Sequence, residues 1–255
     1  MYYLSECLII KNENQYLTEH LTENARSGVE HFYIYDNHSE KPVADFIAEN
    51  ISHLADRCTV ELFPTTRFTQ VDCYAHFLTQ HRNDTKWCAY IDTDEILEGN
   101  LAQLCRDHED ILTLSIIQTM HGANGQAYAD FAKTLAERFK GHILQRQFMC
   151  KCVAQTLYIQ KQFPHHTVLK DAYKYPKSKW LKFFKDDNGV CKLHHYYYRS
   201  FEEWLQKVNR GNVLSDLGDH VSRFFVENSI PDADRDYLLK KYGLTLNSRM
   251  TYNAN

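Results

Sequence analysis

The first half of the chain alternates short apolar runs with segments whose apolar residues recur at helical spacing. Tyr3 to Ile10 predicts a strand. Gln15 to Ser27, with Tyr16, Leu17, His20, Leu21, Asn24 and Ala25 at helical intervals, predicts a helix that stops at Gly28. His31 to Tyr35 predicts the second strand, and Val43 to Asn50, with Pro42 in its first turn, the second helix. The pattern repeats: Cys58 to Phe63 reads as a strand, Val71 to His81 as a helix and Trp87 to Ile91 as a fourth strand. Strands alternating with helices imply an α/β protein with a mostly parallel central sheet flanked by helices, and ligands bind outside the carboxyl ends of such strands. Asn12, Asp36 and Asp92 fall at those ends.

The second half is less regular. Ile111 to Gln118 predicts another strand, followed by His121-Gly122-Ala123-Asn124-Gly125, whose two glycines permit a tight loop close to a ligand. Leu144 to Val168 is apolar and aromatic with Lys151 embedded in it, consistent with more strand, and Asp186 to Gly189 reads as a turn. Ser200-Phe201-Glu202-Glu203 has the form of a capping box opening a helix, with Phe201, Trp204, Leu205 and Val208 as its apolar stripe. No repeat, low-complexity tract or linker interrupts this order. The expectation is one domain over 1–230 and a C-terminal appendage with helical character over 231–255, frayed from Asn247.

Candidate chemistry concentrates in Lys86 to Glu95, an apolar run that ends in Asp92, Asp94 and Glu95. On an extended backbone alternate side chains share a face, so Asp92 and Asp94 are expected to point together while Thr93 points away. Two close carboxylates repel unless a cation sits between them, and oxygen ligands of this kind suit Mg²⁺ or Mn²⁺. Such an ion would neutralise a diphosphate, which points to a nucleotide-sugar transferase. An acidic tripeptide after a strand also serves as a solvated turn or a helix N-terminus.

With 255 residues and a formal charge of -4, the chain can bury a sizeable core and carries no general basic field for nucleic acid. A local cluster stands out at Lys170, Lys174, Lys177, Lys179, Lys182 and Lys185, interleaved with Tyr173, Tyr175, Trp180, Phe183 and Phe184. It reads as an irregular exposed loop, either a solvated charge run or a grip on a phosphate, an anionic acceptor glycan or a membrane surface. The eight cysteines form no C-x-x-C pair, and several lie in apolar runs where a reduced thiol acts as a small hydrophobe, which favours a cytoplasmic setting. Cys150-x-Cys152 with His165-His166 lacks the zinc spacing. The residues from Met1 to Glu6 show no basic n-region, so no export signal is expected, and no apolar run approaches ~18 residues, so membrane contact is expected to be peripheral.

Several segments together resemble one family in order and spacing. They are Cys7 to Asn14 with Tyr16-Leu17, Gly28 to Asn37, Trp87 to Glu95, the glycine loop at His121 to Gly125, Glu137-Arg138-Phe139, and Leu193 to Gly211. The chain resembles, over nearly its whole length, bacterial glycosyltransferases of the family 2-like and family 92 (DUF23-type) groups. The resemblance implies a GT-A nucleotide-sandwich fold that binds a nucleotide sugar, UDP-hexose favoured, with Mn²⁺ or Mg²⁺ at the carboxyl edge of the sheet. It implies that Asn12, Glu13 and Asp36 hold base and ribose, that Asp92 and Asp94 contact ribose and metal, and that His194 or His195, the latter favoured, completes the metal site. Lys151 joins the donor-binding candidates. Glu137 matches a family element as catalytic base of an inverting transfer, with Asp130 and Asp171 as alternatives. The pattern departs from the family where His121 opens the glycine loop in place of an aromatic and where Arg199-Ser200 replaces lysine-serine.

The expected activity is metal-dependent transfer of a hexose to a glycan or glycolipid acceptor of a bacterial surface polysaccharide or lipooligosaccharide. Two rivals use the same residues. A haloacid dehalogenase-type phosphatase also places D-x-D at a strand end, although on an early strand. A transferase homologue without catalysis would serve as a glycan-binding module.

Overall fold

A computed structural model of the chain describes residues 1–63, 69–141, 143–144, 149–185, 189–209 and 217–246. They fall into two compact units, Met1–Thr119 with Gln147–His195, and Met120–Arg146 with Tyr196–Asn255. The strands are β1 (Tyr2–Ile10), β2 (His31–Asp36), β3 (Cys58–Leu62), β4 (Thr85–Tyr90), β5 (Glu95–Gly99), β6 (Thr113–Met120), β7 (Cys150–Gln155), β8 (Ile159–Phe163), β9 (His166–Leu169), β10 (Leu181–Phe184) and β11 (Cys191–His195). The helices are α1 (Asn14–Arg26), α2 (Val43–Asn50), α3 (Gln70–Gln80), α4 (Leu101–Asp107), α5 (Leu135–Phe139), α6 (Phe201–Asn209), α7 (Leu217–Asn228) and α8 (Asp232–Tyr242).

In the first unit the strands run in the order β3-β2-β1-β4-β7-β6-β11-β5, with β10 also paired to β6. The first four are mutually parallel. Strand β7 is antiparallel to both β4 and β6, and β5 is antiparallel to β11. Alternation sorts the residues of β1, β2 and β4 between two cores. Leu4, Leu8, Phe32, Ile34, Trp87 and Ala89 pack on the face covered by α1, α2 and α4, through Leu17, Leu21, Val43, Ile47, Leu101 and Leu104. Cys7, Tyr33, Tyr35, Cys88 and Tyr90 pack on the other face against Cys73, Tyr74, Phe77 and Leu78 of α3. A sheet buried on both faces explains why these strands read as continuous apolar runs.

Thr69 closes a capping box with Asp72, which sets the start of α3. The stretch Lys170 to Lys185 is not wholly the irregular loop expected from its lysines. After two short 3-10 turns, Leu181 to Phe184 forms β10, in parallel register with Thr113 to Ile116 of β6. Backbone pairing to a strand far away in sequence outweighs the local charge pattern there.

In the second unit Tyr198, Phe201, Trp204, Phe224 and Leu238 form an aromatic core among α6, α7 and α8. Ser200 closes the expected capping box with Glu203. Glu203 also takes a bidentate pair from Arg138 at 2.6 and 2.8 Å, with both side chains buried. His121 stacks on Tyr196, and Asn124 and Gly125 take positive φ in the glycine turn. Residues 186–188 of the turn expected over Asp186 to Gly189, the end of the family segment at 210–211 and the tail 247–255 lie outside the described residues, while Gly189 takes positive φ. Among the described residues no helix is long and apolar enough to cross a membrane.

Candidate active site

The chain leaves β1 outward to β2 and β3, then returns to place β4 on the other side of β1. That reversal opens a crevice at the carboxyl ends of β1 and β4, where neighbouring connections diverge. Asn12 and Glu13 leave the first of these strands, and Asp92 the second. Asp36 ends β2 opposite Ile10.

The two loops beside the crevice are tied to each other. Asn12 takes φ 53°, donates its backbone N–H to Ser39 Oγ and accepts from Glu40 N through Oδ1. Asp36 accepts from Ser39 N at 2.8 Å and Val43 N at 3.0 Å, so its carboxylate organises the entry to α2. Glu13 accepts from the Thr93 hydroxyl, which fastens the start of α1 to the acidic segment.

Asp92 and Asp94 do not alternate along a strand as expected. Strand β4 ends at Tyr90, and the N–H of Glu95 donates back to Asp92 O at 2.9 Å, so the two acids sit in a tight turn between β4 and β5. Asp92 accepts from Lys151 Nζ at 2.6 Å and from Gln70 Nε2 at 2.6 Å. Lys151 is buried on β7 and also lies 3.4 Å from Glu95 Oε2. Burial would raise the Asp92 pKa, but the Lys151 ammonium outweighs it and holds the carboxyl below its ordinary value. Burial likewise disfavours the Lys151 cation, and Asp92 with Glu95 overcomes this and raises its pKa. The cation demanded beside the first aspartate is therefore partly the chain's own lysine.

Glu95 and His195 face each other because β5 and β11 pair in that register. His195 Nε2 lies 3.7 Å from Asp94 Oδ1, with both side chains nearly buried. Its Nδ1 lies 3.2 Å from Gln118 Oε1, while Gln118 Nε2 donates to Glu95 Oε1. Glu95 meets donors at Asp92 N, Lys151, Gln118 and the His195 ring. Burial pushes the Glu95 carboxyl above its usual range, against the Lys151 ammonium. With the Gln118 amide oriented by Glu95, its carbonyl accepts from His195 Nδ1–H. The lone pair of Nε2 then faces Asp94, the tautomer a metal ligand needs.

Among the described residues no group of three or more His, Cys, Asp and Glu side chains is set to enclose an ion. Asp94 and His195 supply one carboxylate oxygen and one imidazole nitrogen. That fits Mn²⁺ or Mg²⁺ completed by substrate phosphate and water, rather than a closed protein cage.

The remaining candidates make other contacts. His194 points away from its neighbour and meets Glu98 at 3.1 Å. Glu137, in the second unit, closes a capping box by accepting from Thr134 N and Oγ1 at 2.8 and 2.9 Å. Asp130 meets Lys133 and Asp171 meets Lys174 in surface pairs. The sequence reading assigned no role to Gln70, Glu95 or Gln118, which hold Asp92, Lys151 and His195 in place. For Glu95 the available signal was its position directly after the two aspartates; the glutamines carried none.

No protein-family model matches the chain. The chain is similar to a glycosyltransferase family 92 protein of Ricinus communis, 21% identical over 221 residues that cover 80% of this chain and 37% of the relative. It is also similar to a glycosyltransferase family 92 protein of Oryza sativa subsp. japonica, 20% identical over 218 residues covering 84% and 36%. The chain spans little more than a third of the length of these relatives. Both are plant proteins, so they support the family 92 part of the resemblance and not its bacterial part. Among solved structures, S. aureus TarS 1-349 in complex with UDP aligns over 94% of this chain and 70% of its own, with TM-score 0.48 and 14% identity. GalNAc-T7 with UDP, GalNAc and Mn²⁺ aligns over 96% and 55%, with TM-score 0.48 and 10% identity.

Proposed function

We propose that this chain is the catalytic part of a GT-A-type glycosyltransferase that moves a hexose from a nucleoside diphosphate donor, UDP-hexose foremost, to a glycan or glycolipid acceptor. The observation that carries the reading is the meeting of Asp92, Asp94, Lys151 and His195 at the crevice between β1 and β4. Asn12, Glu13 and Asp36 border that crevice where base and ribose would lie. Similarity to the two family 92 proteins supports the same class. Asp94 and His195 would hold Mn²⁺ or Mg²⁺, which when bound supplies positive charge for the departing diphosphate. Lys151 neutralises Asp92, so the aspartate is fixed in place with its charge already countered. Gln118 holds the His195 tautomer and Gln70 orients Asp92. For an inverting transfer, Glu137 would have to exchange a capping hydrogen bond for the acceptor hydroxyl.

Thermal denaturation with UDP-glucose, UDP-galactose, UDP-GlcNAc and GDP-mannose, with Mn²⁺ or with EDTA, tests the reading. One donor should stabilise the protein by about 2.7 kcal/mol at roughly 100 times its Kd, only with the metal present. Asp94→Asn and His195→Ala should stay folded and lose that increment together with transfer. If no donor stabilises the wild type, or Asp94→Asn keeps the metal-dependent increment, the assignment fails.

A further inference from the structure

A groove of about 460 Å³ opens in the first unit on the sheet face opposite the acidic turn. Its floor carries Ser115 of β6 and Cys152 of β7, and its walls carry Val168, Leu169, Leu181 and Phe183 from β9 and β10. Lys151 lies between Cys150 and Cys152 on β7, and its side chain reaches Asp92 while the two cysteines line the groove. By strand alternation the groove and the proposed donor site therefore occupy opposite faces.

Two features of this groove occur together. The first is exposed apolar surface at its mouth: Phe183 is 59% and Leu181 43% exposed, and nearby Tyr173 is 80% exposed. The second is a set of exposed lysines at 170, 174, 177 and 179, all on the segment that links the two walls. Lys174 pairs with Asp171 and Lys179 with Asp110 at the surface, while Lys170 and Lys177 have no carboxylate partner among the described residues. A soluble glycan needs many directional polar partners, and although Thr113, Ser115, Thr167, His165 and His166 also line this groove, its Val168, Leu169, Trp180, Leu181 and Phe183 surface suits a hydrocarbon chain better. A mostly apolar slot with exposed lysines on the segment between its walls is complementary to an amphiphile with an anionic head and a hydrocarbon tail.

We propose that this groove is a docking site for an anionic membrane lipid, taking part of an acyl chain between β9 and β10 while Lys170 and Lys177 meet headgroup phosphates. The site stands apart from the donor site and does not depend on which sugar is transferred. Docking would bring the face that carries β8, β9 and β10 against the bilayer surface.

Co-sedimentation of the full chain with phosphatidylglycerol–phosphatidylcholine vesicles, against vesicles of phosphatidylcholine alone, tests the proposal. Binding should require phosphatidylglycerol and weaken with added salt. Leu181→Asp with Phe183→Asp should lower the partition coefficient about tenfold or more, and Lys170→Gln with Lys177→Gln should do likewise. The lysine pair is exposed, so it reports even where the apolar pair perturbs folding. Trp180 lines the groove while Trp87 and Trp204 are buried, so lipid brominated along the acyl chain should quench tryptophan emission in the wild type. Absence of binding to anionic vesicles overturns the proposal. So does binding that leaves Trp180 unquenched, or that both double variants retain. Displacement from vesicles is equally informative: capture by heparin with no vesicle binding would assign the face to an anionic glycan instead.

Discussion

Glu6 sits wholly buried in the middle of β1, on the face where Leu4 and Leu8 pack. A carboxylate there is costly unless partnered, and the sequence of α1 supplies both partners one helical turn apart. His20 Nε2 meets Glu6 Oε1, and Asn24 Nδ2 donates to Glu6 Oε2 at 2.8 Å while its Oδ1 accepts from Leu97 N. Burial opposes the His20 cation, but Glu6 outweighs it and raises the folded pKa. A raised folded pKa makes the pair's contribution to stability complete below about pH 6.5, the ordinary value, and lost as pH climbs through the raised one. In Glu6→Gln the largest influence raising the His20 pKa is gone and burial is opposed only by the weaker pull of Glu95 and Asp94, so stability should fall toward acid instead. Urea midpoints taken from about pH 5 to pH 9 should therefore move in opposite directions for the two proteins. Parallel profiles would show that the imidazole is not charged in the fold.

Strand β5 matters more than its five residues suggest, because its pairing with β11 sets His195 opposite Glu95. The pairing begins at Gly99 opposite Cys191, where Gly99 takes φ 102° and a Cβ would stand 2.2 Å from Val190 O. Gly99→Ala should cost roughly 2 kcal/mol or more in urea denaturation, since both the backbone conformation and the space exclude the methyl. It should also weaken metal-dependent donor binding by shifting the ladder. Gly125→Ala, at φ 73° with open space around it, is the control and should cost about 1 kcal/mol. An equal penalty at both positions would show that the steric contact is not what matters. This ladder was invisible in the sequence for a physical reason. Glu95 to Gly99 is short and flanked by charge, so its strand character comes from β11, far along the chain. Strand β10 was hidden in the same way by Lys182 and Lys185. Strands β1, β2 and β4 were legible because burial on both faces leaves apolar side chains at most positions, and the edge strand β3 because it follows the same strand–helix alternation.

At the level of the whole molecule, the alternation of strands and helices up to Tyr90 is enough to place Asn12, Asp36 and Asp92 at one edge of the sheet. The nearness of Asp94 and His195 was accessible only through the family resemblance, since nothing local links residues so far apart. The groups that orient them, Gln70 from α3 and Gln118 from β6, depend on tertiary pairing alone. The same two-sided burial has a consequence in time. Cys7 on β1, Cys73 on α3 and Cys88 on β4 meet in one core, with the first two sulfurs 3.9 Å apart. Burial pushes each thiol pKa up. Thiolates react and thiols do not, so these three sulfurs become reactive only when α3 parts from the parallel strands. Cys150, half-buried and bonded to His165 O, stays within reach of solvent. With iodoacetamide under native conditions, peptide mapping should find Cys150 modified well before the three core sulfurs, which should follow together at the rate of global opening. Uniform modification would mean that the sheet opens piecemeal. Three built-in sulfurs thus act as a clock for the parallel half of the sheet, and a substitution that loosens it would be read as an earlier hour rather than a lower melting point.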